Sequence, residues 1–473
     1  MKENKKEEKR DGSFFDRVKE KLDSICHTSY LWLRSLLERR GFLLAAIILS
    51  VLALAVRYSL MPYPSNDMIG FIFPWIKNFR LNGHLSYLSH MQGDYPPAYM
   101  TILALFSYVD SGPLITSYGN AINYPYPLYD MIMVKTLSFA FDFFLAYGCY
   151  KIVKKVKKDS PVLQFLAFVV PLFLPTVCLN SGLWGQCDAI YISFIVWCVY
   201  YTLKEDGRKA SIMLGLSLAF KLQAIFIIPF LGFLWLRKKF KLRYFFLTFG
   251  IVFLTFLPCY AAGAPFLSPF EKYANLTVEY AAPNYNSGSL YSFIQNIFWA
   301  EKGDVSTQIP TYDLIHFAGI FFGLACAFGS LFFFYTRKIK PTKEAMISIA
   351  AFYAIMIPFV LPHMHERYFY MADIFILLYC LTNKKRYWLI LLMQFSSVIS
   401  YMPFLLNTYF ISSFGDHSLR IATIANAVII AVLLKDILSL PRYEKGIEDL
   451  SEKDQQKMEE IASSSQKKTT EAK

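Results

Sequence analysis

The feature that most constrains this chain is a series of long apolar segments, separated by short basic clusters. Apolar stretches begin near residues 41, 129, 161, 189, 210, 223, 243, 313, 345, 367, 387 and 419. Basic residues gather at 1–40, 151–158, 204–209, 237–243, 337–343, 384–386 and from 435 onward. A single soluble core cannot absorb so many apolar segments, so the pattern predicts an all-α polytopic membrane protein. With 55% hydrophobic and 18% aromatic residues, a soluble multidomain chain is excluded. The net charge of +13 does not point to nucleic acid. The excess lies in connections between apolar spans, where lipid headgroups and topology account for it. The eight cysteines fall mostly in apolar runs without paired metal-ligand spacing and read as small core residues.

If every basic cluster lies in the cytoplasm, both termini are inside and the number of crossings is even; about twelve satisfy this. The organisation expected is a basic cytoplasmic segment at 1–40, a membrane domain at 41–440 and a disordered polar cytoplasmic tail at 441–473. The 1–40 segment lacks the apolar core and small-residue cleavage site of a signal peptide. Between Arg208 and Arg237 the chain must leave the cytoplasm and return within too few residues for two full-length helices. A short hairpin turning at Lys221 is expected there. Ala98 to Val109 is also too short to span alone and reads as a re-entrant helix in the first outer loop, opened by Pro96 and Pro97.

This topology collects the unusual polar residues on one face. Asp67, Asp94, Gln186, Asp188, Lys221, Gln223, His363, His365, Glu366 and Arg367 all fall in outer loops, although only basic clusters were used to assign sides. An extracytoplasmic site at the membrane boundary follows. In the first outer loop Asn66 can cap an aromatic-rich interfacial helix whose first turn holds Asp67. Asp67 is then either a general base or an acid stabilised by the helix dipole. Asp94, before Tyr95-Pro96-Pro97, is either a helix cap or a second carboxylate orienting an acceptor or a metal. Gly185 permits a tight turn that leaves Trp184 as an aromatic anchor in the interface or as a substrate contact. Lys221, between two half-length apolar segments, needs a partner such as Asp188 or a bound anion.

The run Leu-Pro-His-Met-His-Glu-Arg-Tyr at 361–368 breaks an apolar stretch where ionisable groups are expensive. Zinc bound by His363 and His365, a core hydrogen-bond network, and a phosphate cradle completed by the planar guanidinium of Arg367 are three readings of it.

Four motifs occur in order: Asp-Tyr-Pro-Pro (94–97), Leu-Trp-Gly-Gln-Cys-Asp (183–188), Phe-Lys-Leu-Gln (220–223) and His-Met-His-Glu-Arg-Tyr (363–368). In this arrangement the chain resembles the GT-C superfamily of membrane glycosyltransferases. More closely, it resembles bacterial relatives of the transferase that adds the second mannose of GPI anchors, and the dolichyl-phosphate-glucose glucosyltransferases of the endoplasmic reticulum. The resemblance implies inverting transfer of a hexose, glucose or mannose, from a polyprenyl-phosphate donor to a glycan or glycolipid acceptor outside the cytoplasm. It implies Asp67 as the base, with Asp94 as the competing carboxylate. It also implies His363, His365 and Arg367 as ligands of the donor phosphate, which Lys221 would join. Tyr95, Trp184, Gln186, Asp188, Gln223 and Glu366 are expected to contact substrate. No cofactor is required, although members of the superfamily differ in whether they use a divalent cation such as Mg²⁺ or Mn²⁺. The rival function is a transporter or flippase of lipid-linked sugars, which would place its polar residues at mid-depth. The composition suggests a bacterial plasma membrane, while the sequon Asn275-Leu276-Thr277 keeps the endoplasmic reticulum open.

Overall fold

In a computed structural model, the chain is described over residues 41–116, 125–276, 282–294, 310–383 and 386–443, with a few positions between 21 and 29. The expected 1–40 segment and 441–473 tail, and the sequon threonine, lie almost wholly outside the described residues.

The fold is a helical bundle, and the helices start where the apolar segments start. They are α1 (Gly41–Leu60), α2 (Phe73–Leu81), α3 (Pro97–Phe106), α4 (Leu128–Val156), α5 (Pro161–Phe173), α6 (Asp188–Leu203) and α7 (Gly207–Phe220). After these come α8 (Ile228–Leu236), α9 (Tyr244–Leu254), α10 (Pro310–Thr336), α11 (Lys343–Val360), α12 (Tyr370–Thr382), α13 (Trp388–Leu405) and α14 (Leu419–Leu438). Local chemistry sets their ends. Pro97 and Pro161 open α3 and α5 with preset φ and no wasted N–H. The Asp206 and Thr342 side chains accept from the backbone N–H of Lys209 and Ala345 to cap α7 and α11.

Among the described residues, seven helices are long and apolar enough to cross a membrane, or eight if the bent pair Pro161–Phe173 and Pro175–Trp184 forms one span. Such a set defines an integral membrane protein. Helices start near each of the twelve apolar segments, and seven or eight of those described are long enough to cross by themselves. Two of the short members are enclosed by protein: every residue of α12 and nearly every residue of α6 is buried. A helix packed on all sides has its backbone satisfied and its surroundings apolar, so it need not match the bilayer thickness.

Buried ions tie the bundle together. On α4, Asp142 accepts from Arg57 Nε of α1 at 2.7 Å and from Ser181 Oγ at 2.6 Å. One turn pair earlier, the Lys135 ammonium donates to the carbonyls of Met61, Tyr63 and Leu183 at 3.1, 2.7 and 3.3 Å. A lysine that replaces its hydration with backbone carbonyls is fixed in place, and so are the two turns it joins.

Two small sheets complete the fold. Strands β1 (Leu114–Thr116) and β2 (Pro125–Pro127) pair antiparallel before α4. Strands β3 (Asn284–Tyr285) and β4 (Met364–His365) pair parallel, with Tyr285 opposite His365, and bind the loop after α9 to the turn between α11 and α12.

Candidate active site

A cavity of 440 Å³ opens where the connections at one end of the bundle meet. Its lining comes from the stretch before and within α2 (Asp67, Trp75), the residues leading into α3 (Asp94, Tyr95), the turn before α6 (Gln186) and the break after α7 (Lys221, Gln223). The loop around Tyr285 and the α11–α12 turn (His365, Glu366, Arg367) close it. Sequence segments far apart in the chain, from Asp67 to Phe404, thus converge, as an end-of-bundle site requires.

Asp67 is the best-positioned acid. Its helix begins as a π-turn (Met68–Ile72) running into α2, and Ser65, not Asn66, caps it: the Met68 N–H donates to Ser65 Oγ at 3.2 Å. The Ser65 hydroxyl in turn donates to the Trp184 carbonyl at 2.7 Å. Trp184 Nε1 and Gln186 Nε2 both donate to Asp67 Oδ2, at 2.8 and 2.5 Å. Oδ1 accepts no hydrogen bond from the described residues. One carboxylate oxygen is clamped and the other is left for the cavity. Two donors on one oxygen fix the direction of the carboxylate.

The clamp is itself supported. Gly185 stands between its two donors at φ +73°, and a Cβ there would lie 2.5 Å from Met68 Sδ, so glycine is needed both for the turn and for the approach of Asp67's helix. Ser138 of α4 donates to the Gln186 carbonyl at 2.7 Å, and the Tyr95 hydroxyl donates to Gln186 Oε1 at 2.7 Å. Lys135 holds the turns on both sides, at Tyr63 and Leu183. Trp184 is fully buried, stacked on Phe404 with ring centroids 4.8 Å apart. It is neither an interface anchor nor part of the cavity lining; it acts on the site by aiming Asp67.

Asp188 also lies behind the lining. It is fully buried, ion-paired to Lys221 Nζ, and accepts from Asn180 Nδ2 at 2.8 Å. The partner expected for Lys221 is therefore present. The Lys221 ammonium sits over the rings of Tyr95, Tyr191 and Tyr368, at 5.6, 5.7 and 5.9 Å from their centroids. Its backbone is extended between α7 and the 3₁₀ turn Leu222–Ile227, where the sequence predicts the chain to break.

Arg367 is shared among three acids. It lies 3.6 Å from Asp67 Oδ2, 3.8 Å from Asp188 Oδ2 and 3.3 Å from Glu366 Oε1, with its guanidinium over the Trp184 ring. Burial pushes the Glu366 carboxyl up to about 7, against the pull of Arg367. The two histidines of the run part company. His365 lines the cavity, stacked on Tyr285 at 4.6 Å, and burial with the neighbouring Arg367 and Lys221 holds it well below the ordinary imidazole range. His363 does not reach the cavity. Its Nδ1 donates to the Ala282 carbonyl at 2.7 Å, leaving Nε2 to accept from His316 Nδ1 at 2.7 Å. Both ring nitrogens are taken by the protein, and His363 pins the 282–286 loop.

Asp94 does not cap α3. Pro96 occupies the cap position, and the Asp94 carboxylate lines the cavity without a hydrogen bond or ion pair to the described residues. Gln223 faces the same space, its Oε1 buried without a hydrogen bond from the described residues. Among the described residues no three His, Cys, Asp or Glu side chains are grouped to hold a metal ion.

Sequence reasoning passed over Arg57, Lys135 and Asp142, although the rule that marks ionisable residues in apolar spans applies to them equally. It also passed over Tyr285, Trp75 and Phe404. Nothing in the sequence separates those aromatics from the many that face lipid.

An acid-rich cavity at one end of an apolar bundle is where a membrane protein can receive a polar substrate beside the lipid. The class narrows with one comparison: the chain belongs to glycosyltransferase family 87, whose profile matches residues 95–362. Its substrates are accordingly a sugar donor and an acceptor for that sugar. The matched stretch includes Tyr95, Gln186, Asp188, Lys221 and Gln223 but neither Asp67 nor the 363–368 run, so the roles of those residues rest on the geometry above. No curated protein matches the chain.

Proposed function

We propose that this glycosyltransferase moves a hexose, with inversion, from a polyprenyl-phosphate donor to a glycan or glycolipid acceptor, using a GT-C-like site on the extracytoplasmic face. The observation that carries the reading is the half-clamped carboxylate of Asp67 beside Arg367. A base for an acceptor hydroxyl must be directed and open at one oxygen, and Asp67 has both properties. The polyprenyl phosphate is already a competent leaving group, so the site needs cations for the departing oxygens more than a strong acid. Arg367, Lys221 and the neutral imidazole of His365 supply donors for them. Attack and departure then occur on opposite faces of the sugar, which gives inversion.

The division of labour follows from placement. Asp67 takes the proton, Arg367 holds both that base and the phosphate, and Tyr285 and Trp75 offer aromatic faces to sugar. Asp94 and Gln223 supply hydroxyl contacts from the opposite wall. Trp184, Gln186, Asp188 and His363 are positioning residues. The outer face is favoured because the basic connections lie at the far end of the bundle.

The test is sugar transfer from a radiolabelled polyprenyl-phosphate hexose, offered as glucose and as mannose, by purified protein in liposomes. Asp67→Asn should lose about a hundredfold or more in turnover while still binding donor. An inactive Asp94→Asn beside a nearly normal Asp67→Asn would exchange the two roles.

A further inference from the structure

The cavity has too many acids for the ligand proposed to enter it. Asp67, Asp94 and Glu366 line it and Asp188 stands directly behind, against two cations in the lining, Lys221 and Arg367. His365 adds no charge, being held neutral by burial and by those same cations. A phosphate diester would bring a further negative charge into a site already negative, where little water screens it.

The acids are not equally able to give way. Asp188 has Lys221 and Asn180 to itself. Asp67 accepts two N–H bonds on one oxygen. Glu366 has its own backbone N–H and a share of Arg367 at 3.3 Å, with His365 Nδ1 3.8 Å from its other oxygen. Its side chain is 3% exposed. From the elements packed around it, the groups that face it are Asp67 before α2, Asp188 of α6 and Tyr401 of α13; Lys221 stands nearby at the α7 break, and on its own turn are His365 and Arg367. Two of the facing groups are acids that oppose its ionisation.

We propose that binding of the donor's phosphate diester is coupled to uptake of one proton by Glu366, whose neutral carboxyl then donates a hydrogen bond to a phosphate oxygen. This rests on the donor-phosphate reading above. The proton comes from solvent and returns to it when the anion leaves; no bond of the substrate is made or broken in this step. Arg367, relieved of one acid, is left with more of its fork for the phosphate.

The sign of the linkage is fixed. In the empty site Glu366 holds its proton below pH about 7 and loses it above. Donor affinity should be flat at lower pH and fall by roughly tenfold per pH unit above that point, until another group titrates.

The probe is decaprenyl methyl phosphate, a diester that keeps a single charge across this range, titrated calorimetrically into the full chain in nanodiscs. Two buffers of different protonation enthalpy read the protons taken up. Uptake should be close to zero at about pH 6 and approach one proton at about pH 8.5, as linkage requires. Glu366→Gln, which keeps a donor and removes the titration, should show no uptake and a flat affinity. Asp94→Asn should keep the full pH slope and so serves if Glu366→Gln does not fold. Binding without uptake, uptake that survives in Glu366→Gln, or a slope lost in Asp94→Asn would each overturn the proposal. So would pH-independent binding that requires Mg²⁺, since the cation would then balance the charge. Absence of binding at any pH would remove the donor-phosphate reading itself, and this inference with it.

Discussion

The two ends of the bundle use charge in opposite ways. At the cavity end the ions are few: Asp188, Lys221, Glu366 and Arg367 are buried in one cluster, and the half-buried Asp67 and Asp94 beside them make the balance acidic. At the other end the ions are many, basic and mostly exposed, with Arg237 and the Asp436 partner of Arg386 the buried exceptions. Lys157 pairs with Glu344 at 3.6 Å and Lys239 with Glu205 at 3.3 Å. Arg237 lies over the rings of Tyr335 and Tyr443. The backbone of Tyr443 donates to the Lys338 carbonyl, so the ends of α10 and α14 meet there. Charges in water cost little and respond to the membrane; charges out of water persist only where partners fix them, and that fixation is what catalysis needs. Position in the bundle, not the number of charges, separates topology from chemistry.

The contrast can be broken first at the Lys221–Asp188 pair. Lys221→Ala leaves a buried carboxylate without its cation and should destabilise the protein by about 3–5 kcal/mol, read as a fall in Tm. An unchanged Tm would mean that the cavity cluster is as well solvated as the far end. The next effect is the loss of turnover in Asp67→Asn, at least about a hundredfold, because the clamp from Trp184 and Gln186 would hold an amide where the base should be.

Arg367→Ala should weaken binding of a non-hydrolysable donor analogue by roughly 1.5–3 kcal/mol, with Arg367→Lys restoring part of it because a point charge cannot reproduce the planar fork. His365→Ala should act in the same assay, whereas His363→Ala should lower Tm by loosening the 282–286 loop and leave analogue affinity nearly intact. A larger affinity loss in His363→Ala than in His365→Ala would return the phosphate role to the first histidine.

The smallest effects belong to the basic end. Lys157→Ala should leave Tm and turnover unchanged. Cysteines placed at the exposed positions Asn82, Glu271 and Asn407 should react with an impermeant reagent applied outside the cell, and those at Asp159 and Glu205 should not. Labelling of Glu205→Cys from outside would put the two ends on the wrong sides of the membrane.

How much of this was legible beforehand varies by residue. Helix starts were readable because apolar runs, prolines and basic clusters are local signals, and the break at Lys221 followed from length alone. The first-loop helix was legible, but its cap moved by one residue, from Asn66 to Ser65, because the hydroxyl also reaches the Trp184 carbonyl. Of the two histidines, spacing alone could not separate the cavity residue from the loop anchor. The positive φ of His363, +61°, turns it toward Ala282 and His316, and that choice depends on a loop some eighty positions away.

The sequence by itself determined that this is a membrane-embedded helical bundle and that its unusual polar residues belong together, since both conclusions rest on the cost of polar groups in lipid, which every residue reports locally. Only the tertiary structure decided that Asp67 is held at one oxygen, that Trp184 and Asp188 lie behind the cavity and that Glu366 competes with two other acids for one arginine. Those facts are distances between chain segments that no local pattern encodes, and in a buried site distances and desolvation set what a charged group can do.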